Sequence, residues 1–183
     1  MDKVIQTNLQ NLWIEDRELQ NKAFFHIIEI TDKPVAWAYE AWDDVVANLS
    51  HSDNHNRAIA AQVLCNLAKS DPKERILKDF NTLITVTKDE RFVTARHCMQ
   101  SLWKVGVAGK KQQKKLIDGL VGRFNECITE KNGTLIRYDI IQSFKNLYDA
   151  IKDKKVKEKA LQLIETEEDI KYRKKYASLW KSK

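Results

Sequence analysis

Arg57-Ala-Ile-Ala-Ala-Gln-Val-Leu-Cys-Asn-Leu67 is the stretch on which the fold turns. An arginine leads a run of small and aliphatic residues at helical spacing, and three further stretches can be laid over it. These are Ala95-Arg-His-Cys-Met-Gln-Ser-Leu-Trp-Lys-Val105, Arg137-Tyr-Asp-Ile-Ile-Gln-Ser-Phe-Lys-Asn-Leu147 and Tyr172-Arg-Lys-Lys-Tyr-Ala-Ser-Leu-Trp180. Their apolar anchors Leu64, Leu102, Phe144 and Leu179 lie 38, 42 and 35 residues apart. One helical segment per period of this size implies stacked helix pairs, because a single pair cannot bury its apolar face alone.

Helix punctuation fits that period. Asp71-Pro72-Lys73-Glu74 reads as an N-cap, a proline at the first helical position and a glutamate at the third. The helix it opens carries Ile76, Leu77, Phe80, Leu83 and Ile84 on one stripe. Asp89 and Glu90 open the next helix, which Gly106 and Gly109 close near Val105. A helix from Lys110 presents Leu116, Leu120, Phe124 and Cys127 on one face, and Asn132-Gly133 is a turn signal. The expected pairs are 35–50/55–69, 72–87/90–105, 110–129/134–149 and 153–165/168–181. One or two helices before residue 31 cover the first of them. The fold class is therefore all-α: a right-handed α-α superhelix of about four helix pairs with an N-terminal helical cap. Residues 1–183 read as one domain, with the cap over 1–34 and the repeats over 35–183.

With only five Gly and two Pro in 183 residues, a sandwich or barrel rich in tight turns is excluded. The formal charge of +6 is unevenly spread. Residues 1–100 hold 12 Lys/Arg against 15 Asp/Glu, and residues 101–183 hold 20 against 11. A basic second half suits an acidic partner, although lysines on helix exteriors also serve solubility. Cys65, Cys98 and Cys127 lack metal-ligand spacing and sit in apolar stretches, the pattern of small hydrophobes in a reducing compartment. No apolar run is long enough for a membrane span, and the polar first residues do not read as a secretion signal. A cytoplasmic protein without a membrane partner is expected.

Stacking the four stretches generates a candidate site. Two residues before each anchor stand Gln62, Gln100, Gln142 and Ala177. One turn earlier come Ala58, Arg96, Tyr138 and Arg173, and one turn later Asn66, Lys104, Asn146 and Lys181. At i, i+4 and i+8 these form the polar face of each second helix. Second helices line the concave side of such arrays, so the register places a ladder of glutamines in a groove bordered by Arg96, Lys104, Arg173 and Lys181. Amides supply both donor and acceptor for a peptide backbone. Guanidinium, ammonium and phenol groups would also suit phosphates and bases.

The inner stretches resemble the second helices of HEAT repeats, within the armadillo-like helical superfamily. Arg57 with Ala60, Ala61 and Leu64 carries that resemblance, as does Arg137 with Ile140, Ile141 and Phe144. The second stretch departs from it, with Ala95 at the arginine's place and Arg96 one residue later. The fourth departs with Tyr172, Lys175 and Tyr176. The aspartate of the turn, six residues ahead of the arginine, appears only at Asp89. The resemblance spans residues 35–181 and implies a HEAT-like fold. Trp42-Asp43-Asp44, on a first helix, together with the basic second half also resembles a family of HEAT-like DNA glycosylases that act on alkylated bases. Asp139 is the candidate acid there.

Other chemistry is sparse. His51-Ser-Asp-Asn-His55 offers possible zinc ligands but reads better as a cap and turn. No phosphate loop, nucleophile elbow or paired-carboxylate motif occurs, so no catalytic residue, metal site or cofactor is assigned. The reading is a non-enzymatic scaffold that binds a protein or peptide in its groove. The competing class is a nucleic-acid-binding protein, a HEAT-like glycosylase included.

Overall fold

Aspartates set the helix starts. The computed structural model describes residues 1–181, which hold helices and no strand. Asp2, Asp16, Asp53, Asp153 and Asp169 each cap a helix by accepting a backbone N–H of its first turn. Each removes one or two of the four orphan donors at a helix N-terminus.

The chain forms two compact units, Met1–Cys98 and Met99–Lys183. The first contains α1 (Lys3–Asn11), α2 (Arg17–Ile30), α3 (Ala38–Asn48), α4 (Asn54–Leu67), α5 (Arg75–Val86) and most of α6 (Phe92–Ser101). The second contains the end of α6, then α7 (Trp103–Val107), α8 (Lys110–Glu126), α9 (Gly133–Ile151), α10 (Lys154–Glu165) and α11 (Ile170–Ser178). The four pairs anticipated from sequence are thus α3/α4, α5/α6–α7, α8/α9 and α10/α11. The second helix of the second pair is split at Leu102.

Within Met1–Cys98, α1 packs on α2, α2 on α4 and α3 on α4. The stripe Ile76, Phe80 and Leu83 is fully buried, as are Ala60, Ala61, Val63 and Leu64. Within Met99–Lys183, α8 packs on α7 and α9, and α9 on α10 and α11. Leu116, Leu120, Phe124 and Cys127 are all at 0% exposure, with Leu102, Ile140, Ile141 and Phe144. Gly133 is required by a close approach, since a Cβ there would stand 2.3 Å from the Cys127 carbonyl oxygen.

One helix start differs in kind from the sequence reading. Asp71-Pro72-Lys73-Glu74 is a turn rather than a first helical turn: Glu74 lies in the left-handed region at φ 55°, and α5 begins at Arg75. Asp71 still satisfies an orphan donor, accepting the Ile76 N–H at 2.7 Å. Its other oxygen accepts the Tyr39 hydroxyl at 2.6 Å. That tie to α3 holds Asp71 before the helix. The N-terminal cap also proves to be a further hairpin in the same register. Arg17 stands seven residues before Phe24, as Arg57 does before Leu64.

The shared arginine explains the stacking. Arg17 pairs with Asp53, and Arg57 with Asp89 at 2.6 and 2.9 Å, in each case at the turn of the next hairpin. Arg137 does the same with Glu167 at 2.9 Å, while its Nε–H donates to the Phe124 carbonyl and its guanidinium lies 4.5 Å from the Phe124 ring. At the turn between α8 and α9, Glu130 is taken by Arg123 of its own hairpin, at 2.5 and 2.7 Å. Arg17 pulls the Asp53 carboxyl down to about 2 through its hydrogen bond, against opposition from burial. Burial pushes the Asp89 carboxyl up, but Arg57 and the Arg91 N–H outweigh it and leave it below its ordinary value.

Candidate functional site

The polar faces of the second helices must be taken unit by unit. In Met1–Cys98 several of the polar side chains on α2 and α4 serve the fold. Gln20, fully buried, donates to the Leu12 carbonyl at 2.9 Å and to Asn56 Oδ1 at 3.0 Å, and accepts from Arg17 at 2.7 Å. Asn66, 1% exposed, donates to the Ile28 carbonyl at 3.2 Å and to Thr31 Oγ1 at 3.1 Å. Asn66 was expected on the groove face and instead ties α4 to the end of α2. Gln62 remains half-buried, its N–H donated to the Ala58 carbonyl of its own helix at 3.0 Å. Arg96, also half-buried, stands 5.8 Å from the Phe92 ring.

In Met99–Lys183 the same register stays at the surface. Tyr138, Gln142 and Asn146 are all half-buried along α9. Gln142 donates to Asn146 Oδ1 at 2.8 Å, which leaves its carbonyl oxygen without a donor among the described residues. The Lys175 ammonium lies 5.0 Å from the Tyr138 ring centre, and the Tyr176 ring packs 6.4 Å away. Burial, helped by Glu167, raises the Tyr176 phenol, whose O–H is donated to the Thr134 carbonyl at 2.7 Å. Gln100 is exposed, and its N–H reaches Asp139 Oδ1 at 3.4 Å. Lys104 lies 6.0 Å from the Trp103 ring. Arg173 donates to the Glu167 carbonyl at 2.7 Å, so part of its guanidinium holds the turn before α11. Lys181 is exposed and lines a separate recess with Lys145, Tyr148 and Trp180.

The residues considered for other chemistry are spent structurally. Trp42 is fully buried with its indole N–H held by Asp79 at 2.8 Å, and Asp43 is paired with Arg75. Asp139 is 1% exposed, too enclosed to meet a base in a groove. Asp53 caps α4, and His51 Nδ1 accepts the Asp53 N–H at 3.0 Å, so the His51–His55 run is a cap and turn. Among the described residues no group of His, Cys, Asp or Glu is arranged to hold a metal ion. All three cysteines are buried, and burial pushes the Cys98 and Cys127 thiols up, which makes them poor nucleophiles. No helix among the described residues is long and apolar enough to cross a membrane.

Solved structures of similar shape identify the architecture. An engineered protein aligns over 97% of this chain and 78% of its own length, at 15% identity and a TM-score of 0.61. A designed armadillo repeat protein aligns over 96% and 80%, at 12% identity and a TM-score of 0.57. The fold is an armadillo/HEAT-like helical repeat. A second designed armadillo repeat protein, solved in complex with the peptide (KR)4, covers 98% of this chain and 88% of its own, at 12% identity and a TM-score of 0.55. No protein-family model matches the sequence, and no curated protein does. The one or two helices expected before residue 31 are α1 and α2; what sequence reasoning did not see is that α2 keeps the arginine interval of the later second helices. The signal was the seven-residue interval from Arg17 to Phe24.

Proposed function

We propose that the protein is a non-enzymatic scaffold that binds an extended peptide segment of a protein partner along the second-helix face of Met99–Lys183. The observation that carries this reading is the Tyr138–Gln142–Asn146 row on α9, half-exposed polar groups that include an amide carbonyl with no donor among the described residues, with Lys175 against Tyr138. An extended peptide offers alternating N–H and C=O groups, which a glutamine can meet as both acceptor and donor. Fixed on a helix, such a row loses little freedom on binding.

Charge narrows the partner. The designed neighbour was solved with a basic peptide, but Met99–Lys183 carries 20 Lys/Arg against 11 Asp/Glu. A segment with acidic side chains fits this unit, with Gln142 on its backbone and Lys104, Lys175 and Arg173 near its carboxylates. The buried thiols support a reducing location such as the cytoplasm.

Peptide-display selection against the full chain tests the reading. Acidic extended sequences are expected, with affinity that changes modestly between low and physiological salt. Selection of no peptide, together with duplex DNA binding whose affinity falls steeply with salt, would instead indicate a polyanion site.

A further inference from the structure

A second recess in Met99–Lys183 has chemistry of its own. It lies where α9, α10 and the end of α11 meet, with a volume of about 580 Å³. Its walls are two aromatic rings and three ammonium groups: Tyr148 and Trp180, with centroids 5.6 Å apart, and Lys145, Lys157 and Lys181. The volume is that of a small-molecule pocket.

Three observations point to a ligand. First, cations crowd it. Besides the three lining lysines, Lys152 lies at its margin, and Asp149 is the carboxylate of the lining, held below its ordinary value chiefly by the Lys145 hydrogen bond. Second, the ammoniums rest on the rings: Lys145 is 5.9 Å from the Trp180 ring centre, and Lys157 and Lys152 are 6.0 and 5.3 Å from that of Tyr148. Such contacts are weak at exposed sites and yield readily to a phosphate. Third, the Trp180 indole N–H is buried with no acceptor among the described residues, an uncommon state for a native donor.

We propose that this recess binds a nucleoside phosphate, the base lying against Trp180 and Tyr148 and the phosphates held by Lys145, Lys157 and Lys181. Binding moves Lys145 from the Asp149 carboxylate and the Trp180 face, and Lys157 from the Tyr148 face, to phosphate oxygens, and the bared rings take the base. Each half of the ligand thereby makes room for the other. A ligand with phosphates alone leaves the rings unused, and one with a base alone leaves the lysines on them. This site differs in residues and in ligand from the α9 peptide row.

Isothermal titration of the full chain with ADP, adenosine and pyrophosphate tests it. ADP is expected to bind at least about tenfold more tightly than either fragment. Trp180→Ala is expected to weaken ADP by about tenfold or more, with Trp180→Phe restoring most of the loss because the ring remains. Lys145→Ala with Lys157→Ala should weaken ADP and, by baring the rings, bind adenosine at least as tightly as the wild type does. Tyr138→Ala with Gln142→Ala should leave ADP binding intact, whatever becomes of peptide binding. Displacement of ADP by a short oligo-dA would identify the nucleotide's source as a single strand, and failure to displace would indicate a free nucleotide. Pyrophosphate binding as tightly as ADP, indifference to Trp180→Ala, or no heat with millimolar ADP would each overturn the proposal.

Discussion

Asn66 and Asn146 stand at the same register position, two residues after their anchors, and their uses differ. Asn66 is sealed inside Met1–Cys98, where its amide joins the Ile28 carbonyl and the Thr31 hydroxyl. Asn146 is half-exposed on α9 and, among the described residues, bonds to Gln142 of its own helix alone. The contrast extends further. Met1–Cys98 draws Gln20, Asn56 and Asn66 into buried networks and is net acidic, whereas Met99–Lys183 keeps Gln100, Gln142 and Asn146 at its surface and is strongly basic. A repeat's register dictates which side chains share a face, while the neighbouring hairpin dictates whether that face is structure or surface.

The sharpest way to break this comparison is through the shared arginine. Arg137 and Glu167 are 8% and 7% exposed, whereas Arg17 and Asp53 are 45% and 31% exposed. Arg137→Ala strands a buried carboxylate and is expected to cost about 3–5 kcal/mol in urea unfolding. Arg17→Ala should cost under about 1 kcal/mol, because solvent screens the exposed pair. Equal losses would show that burial does not separate the two pairs.

A smaller effect separates the amides. Asn66→Ala leaves the Thr31 hydroxyl and a backbone carbonyl without that donor inside the protein, a loss of about 1–3 kcal/mol. Asn146→Ala is expected to stay within about 0.5 kcal/mol, as surface changes do. A reversed order in the two midpoints would place the structural face in the wrong unit.

Acid gives the smallest effect. The Asp53 carboxyl is lowered to about 2 from its ordinary value of 3.8, so the deprotonated form is favoured on folding. Its contribution is complete above pH 4 and is lost as pH falls toward 2. With its side chain 31% exposed, this is worth about 1 kcal/mol after allowance for solvent screening. Asp53→Asn should flatten the acid limb of the stability curve by that amount, as read from urea midpoints at pH 5 and pH 2.5.

The period was legible because burial repeats three of its anchors: Leu64, Leu102 and Phe144 all reach 0% exposure, whereas Leu179 is half-buried and Tyr176 takes the core position of α11. The same register was harder to see in α2. Asn21 and Lys22 follow Arg17 where Ala61 and Gln62 follow Arg57, so the small-residue pattern is absent although the arginine interval is kept. Asp71 was identified as a helix-start residue, but its hold on Tyr39, 32 residues away, moved the helix start to Arg75. Of the candidate face, the register was readable and the burial was not. Nothing near Asn66 in sequence reports that Thr31, 35 residues earlier, waits for its amide. The Trp180 recess escaped for the same reason, since its walls come from three helices.

Titration of a display-selected peptide against the wild type and two double variants bears most directly on the placement of the binding face. Tyr138→Ala with Gln142→Ala should weaken binding by about tenfold or more, roughly two interactions' worth, at an unchanged melting temperature. Gln62→Ala with Asn66→Ala should lower the melting temperature and leave affinity at wild-type level. The opposite pattern, affinity lost with Gln62 and Asn66 but kept without Tyr138 and Gln142, would contradict the assignment of the peptide face to Met99–Lys183.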